Sequence, residues 1–192
     1  MSEVATILIM TTLAGLCIPL GGWIASFESI RSEWLENELR HFVIAFGGGL
    51  LLGAVFQMLL PKGNSMINNI VGTVFAFILG GVFFFGLERY LGLRRRESPE
   101  LTGMLVDFIP ETIALGGLAS SQPKVAMGMA IVMGLQNIPE GFNTFREQRE
   151  TSDMKPGRIL RFMLLLVPLG PISGLTAHFF LSDHPVLLGS IL

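Results

Sequence analysis

Six apolar runs, each roughly 20 residues long, are spaced along the chain at about 6–26, 41–60, 70–91, 101–120, 125–145 and 159–181. A helix of about 20 apolar residues crosses the hydrocarbon core of a bilayer. Helices are also the way a single chain segment satisfies its own backbone polar groups in lipid. The pattern therefore predicts an all-α integral membrane protein, a single transmembrane domain over residues 1–192 built as a helical bundle with about six visible spans. A further run begins at 186 and extends to 192, too short to cross, and reads as a seventh span cut off at its start.

Two of the runs are interrupted by polar residues at matching places. The fifth carries Gly134-Leu135-Gln136-Asn137-Ile138-Pro139-Glu140-Gly141, and the fourth carries Val106-Asp107-Phe108-Ile109-Pro110-Glu111-Thr112. Both contain Ile-Pro-Glu, and each places a polar residue four positions before its glutamate. On insertion scales a charged side chain at membrane depth costs about 2.5–3.5 kcal/mol. Of the 15 acidic residues, Asp107, Glu111 and Glu140 lie deep in a run, whereas Glu88 sits beside Arg89 near the end of the third. No Lys or Arg lies deep in any run to neutralise them. The three acids must be protonated, face a wet path or bind a cation.

Spacing brings these groups together. Asp107 and Glu111 are four apart on one helical face, as are Gln136 and Glu140. Pro110 and Pro139 lack an N–H and clash with the carbonyl four residues back, freeing the oxygens of Val106 and Leu135. Such carbonyls are tolerated at membrane depth where they are buried in protein or line a cavity. Two facing helices would supply Asp107, Glu111, Gln136, Asn137 and Glu140 to one oxygen-rich cluster suited to a divalent cation. Thr112, Asn143 and Thr144 read as hydrogen-bonding contacts between helices rather than ligands.

Composition adds constraints. The 192 residues are 51% hydrophobic and 15% charged, against the ~25% charged of soluble domains, and mean hydropathy is +0.61. A net charge of −2 gives no field to attract nucleic acid. The single cysteine, Cys17, excludes a disulfide framework or a cysteine-based zinc site and reads as packing. The first run follows Met-Ser-Glu without a basic region and is expected to be a retained span rather than a cleaved signal peptide.

The basic residues set the orientation. Arg31 and Arg40 follow the first run, Arg89 and Arg94 to Arg96 the third, and Arg146, Arg149, Lys155, Arg158 and Arg161 the fifth. The opposite side holds only Lys62 and Lys124. The positive-inside rule then places the amino terminus outside, with Arg94 to Arg96 as a topology anchor. Gly47-Gly48-Gly49, Gly53, Gly80-Gly81 and Gly86 are expected to let helices approach closely. Phe83 to Phe85 read as lipid-facing or packing, and His41, His178 and His184 as interfacial. A short echo, Ile18-Pro19-Leu20-Gly21 against Val167-Pro168-Leu169-Gly170, joins the echo between runs four and five and hints at internal repeats.

Gln136-Asn137-Ile138-Pro139-Glu140-Gly141 resembles the His/Gln-Asn-x-Pro-Glu-Gly signature of the Zrt/Irt-like (ZIP) family of divalent-metal transporters. Asp107 to Thr112 is similar to that family's span-4 motif, His-Asn-x-Pro-Glu-Gly, and Gln57 to Lys62 is similar to its span-2 ending, His-x-Leu-Pro-Glu. The resemblance covers nearly the whole chain. It implies eight spans arranged 3+2+3 with a metal centre between spans 4 and 5, and puts Met58 or Gln57 at the metal. It also implies transport of Zn, Fe or Mn toward the cytoplasm by alternating access, release being aided by protonation of a carboxylate. The implied partners are the divalent ion as substrate and the lipid bilayer. No organic cofactor or nucleic acid is implied, and a homodimer is left open. The location it implies is the plasma (inner) membrane.

The departures from the family pattern carry information. Asp107 stands at the usual histidine, Phe108 at the asparagine, Thr112 at the glycine and Lys62 at the span-2 glutamate. Pro168-Leu169-Gly170-Pro171 falls near the place of a bridging glutamate. The second metal position has thus lost ligands, and one ion is expected, held by Asp107, Glu111, Gln136 and Glu140. Loss of imidazole shifts the donor set toward hard oxygen and toward Mn²⁺ or Fe²⁺ relative to the family. The alternative is a metal-binding or regulatory membrane protein that does not transport. An intramembrane enzyme lacks support, because neither His-Glu-x-x-His nor a Ser/His pair is present.

Overall fold

The computed structural model describes residues 2–27, 33–94 and 99–191. Arg31, Arg95, Arg96 and the final Leu192 lie outside the described residues, as do the side chains of Arg40, Glu88 and Arg94. About 90% of the protein is helical, and no strand occurs among the described residues. The helices are α1 (Glu3–Phe27), α2 (Glu33–Ala54), α3 (Leu60–Ile67), α4 (Ile70–Arg94), α5 (Pro99–Leu118), α6 (Pro123–Thr151), α7 (Pro156–Leu166), α8 (Leu169–Phe180) and α9 (Pro185–Ile191).

Two spans depart from the expected outline. The second does not stop at residue 60. A π-helical turn, Val55–Leu59, links α2 to α3, which runs on to Ile67. Pro61, which has no N–H to donate, directly follows the π-helical turn, where the regular hydrogen-bond ladder is already interrupted. Asn68, in the left-handed conformation at φ 52°, then ends the helix. Asn69 starts α4 by accepting the Val71 and Gly72 N–H groups at 3.0 and 3.3 Å. The sixth span is broken at Val167 and Pro168 into α7 and α8, where Pro168 offers no N–H to continue the ladder.

Five stretches among the described residues are helices long and apolar enough to cross a membrane. The fifth expected span, α6, is 29 residues long but is not among them. Its stripe of Gln136, Asn137, Glu140 and Asn143 lowers its hydropathy. These polar residues are tolerable because α6 lies in the middle of the bundle, packed on α1, α2 and α5. The contrast with α4 is sharp: 50% of the span on α5 is buried within the protein against 6% of that on α4. The bundle thus divides into a packed core of α1, α5, α6, α7 and α8, and a loosely joined side of α2, α3 and α4.

Glycines make the tight crossings, but not those expected. A Cβ on Gly21 of α1 would collide with the Ile138 carbonyl of α6, and one on Gly141 of α6 with the Ile18 carbonyl of α1. On α5, a Cβ at Gly116 would strike the Gly174 carbonyl of α8. By contrast, Gly48, Gly49, Gly53, Gly80, Gly81 and Gly86 have nothing within 4 Å of where a Cβ would stand, among the described residues. Of the α2 set only Gly47 meets a neighbour, Pro139 at 3.4 Å.

The sequence echoes fall at related packing positions. Ile18 to Gly21 of α1 lies against Ile138 and Gly141 of α6, while Gly170 lies against Phe108 and Thr112 of α5. In register, Thr112 stands on α5 where Gly141 stands on α6, and Gly170 where Gly21 stands on α1.

Candidate metal centre

The centre is built on the antiparallel pair α5 and α6. Pro110 and Pro139 lie inside continuous helices, so the helical spacing of the polar residues survives on both. Gln136 Nε2 donates to Glu111 Oε1 across the pair. Further along, Thr144 Oγ1 reaches Met104 Sδ at 3.8 Å. At the far end the backbone N–H groups of Glu100 and Leu101 donate to the Glu147 carboxylate at 3.1 and 3.3 Å, which caps the first turn of α5. These contacts define an antiparallel ladder. Between its 111/136 and 104/144 rungs, Asp107 and Glu140 line one cavity of about 350 Å³.

That cavity lies between α2, α5 and α6. Its α5 wall is Glu100, Gly103, Met104 and Asp107, and its α6 wall is Pro139, Glu140 and Asn143. The α2 wall, which includes Gly47, Gly48 and Leu51, is apolar. The electrostatic character of the site follows from its buried atoms. Glu111 Oε2, Gln136 Oε1, both Glu140 oxygens and Asn143 Oδ1 are buried with no hydrogen-bond partner. All five are acceptors. A buried unsatisfied acceptor costs about 1–3 kcal/mol, and more where it carries charge. Oxygens gathered without donors are what a cation stabilises, and carboxylate with amide oxygen suits hard divalent ions. Among the described residues, no three His, Cys, Asp or Glu side chains group closely enough to hold an ion by themselves. Oxygens other than these carboxylates, such as the buried amide oxygen of Gln136, would be needed to complete a donor set.

The expected ligands are placed differently from one another. Glu111 and Gln136 are bonded partners, and Glu140 and Asp107 share the cavity. Asn137 is turned aside: its Nδ2 donates to the Ala14 carbonyl of α1 at 2.8 Å, leaving Oδ1 buried and unpartnered against that helix. One residue beyond Gln136 is a rotation of about 100° around the helix, which carries Asn137 toward α1 rather than α5. Met58 is not with the group either. Its Cε would lie 2.8 Å from a Cβ on Gly128, and Gly128 is eight residues from Gln136, about 12 Å along α6. At the level of Glu140, α2 presents Gly47 and Gly48 instead.

Thr144 Oγ1 contacts Met104 of α5 across the pair, whereas Thr112 does not join two helices: it bonds the Phe108 and Ile109 carbonyls of its own helix at 3.0 and 2.9 Å. Asn143 makes no interhelical hydrogen bond through its oxygen, which is buried without a donor, and the residue lines the cavity. The signal was present in the spacing: Gln136, Glu140, Asn143 and Glu147 run i, i+4, i+7, i+11 along one face. Phe108, 1% exposed, fills the space beside α1 and α8. Its ring tip would lie 3.1 Å from a Cβ on Gly15 and 2.9 Å from one on Gly170. Of the histidines, His41 and His184 are exposed, and His178 Nε2 lies 3.9 Å from Glu3 Oε2.

No protein-family model matches the chain. It is similar to curated proteins named zinc transporter ZupT. The one from Shigella dysenteriae serotype 1 is 29% identical over 142 residues, covering 72% of this chain and 48% of the relative. The one from Akkermansia muciniphila is 27% identical over 153 residues, covering 74% and 53%. A third, from Shigella flexneri, is 28% identical over 143 residues. The chain spans about half the length of the curated relatives it matches. The all-helical membrane bundle and the similarity to these zinc transporters agree with the resemblance carried by the paired Pro-Glu motifs.

Proposed function

We propose that the protein carries a divalent metal ion across the membrane toward the cytoplasm, through the site between α5 and α6. The observation that carries this reading is the set of buried, donor-less oxygens on Glu111, Gln136 and Glu140 beside Asp107. Zinc is the metal named for the relatives, and the imidazole-free donor set extends the choice toward Mn²⁺ and Fe²⁺. One ion binds per chain, because Phe108 occupies the space next to the Asp107/Glu111 face and contributes no ligand.

The packing suggests how access alternates. The close glycine crossings join α1, α5, α6 and α8 into one block that carries the site. The α2 glycines facing no neighbour and the sparsely buried α4 form a side that can rock against it. With the amino terminus outside, the end of the cavity lined by Glu100 faces the cytoplasm.

The test is radiotracer uptake of ⁵⁴Mn²⁺ or ⁶⁵Zn²⁺ by proteoliposomes. The wild-type protein takes up the ion saturably, while Glu111→Gln and Glu140→Gln abolish saturable uptake and remain folded by circular dichroism. Wild-type uptake in both variants refutes the assignment. Binding without flux in the wild-type protein points instead to a metal-binding or regulatory role.

A further inference from the structure

We propose that Glu100 and Asn143 form a second, weaker cation station, through which the metal leaves the Asp107/Glu140 level toward the end of the bundle where α4 connects to α5. This deepens the transport reading and rests on it.

The geometry is a path of fixed spacing. The cavity holding Asp107 and Glu140 continues along α5 as far as Glu100, past Gly103 and Met104. Glu100 and Asp107 are seven residues apart, two turns of helix on nearly the same face, or about 10 Å of axial travel. Asn143 is three residues beyond Glu140 on α6, so it lies between the two acidic levels. It is 7% exposed, and its Oδ1 has no hydrogen-bond partner. A buried acceptor oxygen set between two carboxylate levels gains nothing from its protein neighbours. A passing cation would satisfy it.

The neighbouring acid does not compete for this role. Glu147 continues the α6 stripe, but its two oxygens accept the Glu100 and Leu101 backbone N–H groups. That cap fixes the first turn of α5 against α6 and leaves the Glu100 side chain to line the cavity. Among the described lining residues, Gly103 and the α2 wall of Val43, Ile44, Gly47, Gly48 and Leu51 place no side-chain donor or positive charge in between. One carboxylate and one amide leave most of the coordination shell to water, so the station binds a partly hydrated divalent ion loosely. Loose binding is what passage requires, since an ion must be held well enough to enter and weakly enough to leave.

The test uses Mn²⁺ alone as probe, with the full protein in proteoliposomes. Glu100→Gln and Asn143→Leu each lower the maximal uptake rate about ten-fold, with little change in half-saturating Mn²⁺. Equilibrium Mn²⁺ binding to the central site is unchanged in Glu100→Gln and Glu100→Asp. The double variant is no slower than the slower single variant, because both residues serve one station, and Glu100→Asp recovers part of the rate. Should Asn143→Leu not fold, the Glu100→Gln and Glu100→Asp pair decides alone. Wild-type rates in the single variants overturn the station while leaving transport intact. Loss of equilibrium binding in Glu100→Gln also overturns it, by making Glu100 part of the central site. Absence of saturable uptake by the wild-type protein removes the transport reading and the station together.

Discussion

Phe108 offers the most direct test of how the bundle limits its own metal content. The ring is 1% exposed and stands between Gly15 of α1 and Gly170 of α8. In soluble cores Phe→Ala costs about 3–5 kcal/mol, part of it hydrophobic transfer. In a bilayer that part largely falls away, because lipid tails are as apolar as the protein interior. What remains is the void. Removing the ring empties about 100 Å³, and at ~24 cal/mol per Å³ this costs about 2.4 kcal/mol if the walls hold. They should hold, since two of the walls are glycines with no side chain to swing inward, and closing the gap requires moving the helix backbones. Phe108→Ala is therefore expected to shift the folding equilibrium about 50-fold toward the unfolded state. Unfolding in mixed micelles of increasing SDS fraction, followed by circular dichroism, measures this. Phe108→Asn instead returns an amide to the same space, close to the segment of α1 that Asn137 bonds. Calorimetry should find one tightly bound Mn²⁺ in the wild-type protein and a stoichiometry moving toward two in Phe108→Asn. A destabilisation below about 0.5 kcal/mol in Phe108→Ala, within the range of ordinary surface changes, would show that the ring does not hold these helices apart. Two tightly bound ions in the unmodified protein would show that the second position is not blocked.

Three further outcomes follow from the same geometry. Asp107→His should move competition between Zn²⁺ and Mn²⁺ toward Zn²⁺ without changing stoichiometry, because imidazole is a better zinc ligand than a carboxylate; unchanged competition would remove Asp107 from the ligand set. Gly141→Ala should impair folding and uptake severely, since its Cβ meets the Ile18 carbonyl backbone, whereas Gly49→Ala should stay within about 0.5 kcal/mol of wild type; equal effects in a thermal-stability assay would contradict the division between packed and loose helices. Single cysteines at Arg95 and Lys124 in a Cys17→Ser background should differ toward an impermeant thiol reagent added outside intact cells, with only the Lys124 position reacting; labelling at Arg95 would reverse the orientation.

Most of the helices and the polar pair on α5 and α6 were legible in the sequence, but not the run of the second span to Ile67 or the break of the sixth at Val167 and Pro168. The reason is local. In lipid a spanning segment must satisfy its own backbone, so an apolar run of sufficient length is a helix wherever it packs. The four-residue spacing of Asp107 with Glu111, and of Gln136 with Glu140, then fixes their shared faces whatever lies opposite. The acids without basic partners were visible for the same reason. What could not be read was which apolar face meets protein and which meets lipid, because hydrophobicity does not distinguish the two in a bilayer. Gly49, Gly53 and Gly80 therefore looked like crossing points as good as Gly21, Gly116 and Gly141, and only the packing of α1 on α6 and of α5 on α8 separated them. The family resemblance put Met58 with the carboxylates and the facing-helix pattern put Asn137 there, while Asn143 was left out. Their places depend on the register of α2 against α6, and on the turn of α6 between α1 and α5. Those are decided by contacts between segments far apart in the chain: Gly47 against Pro139, Met58 against Gly128, and Asn137 to Ala14.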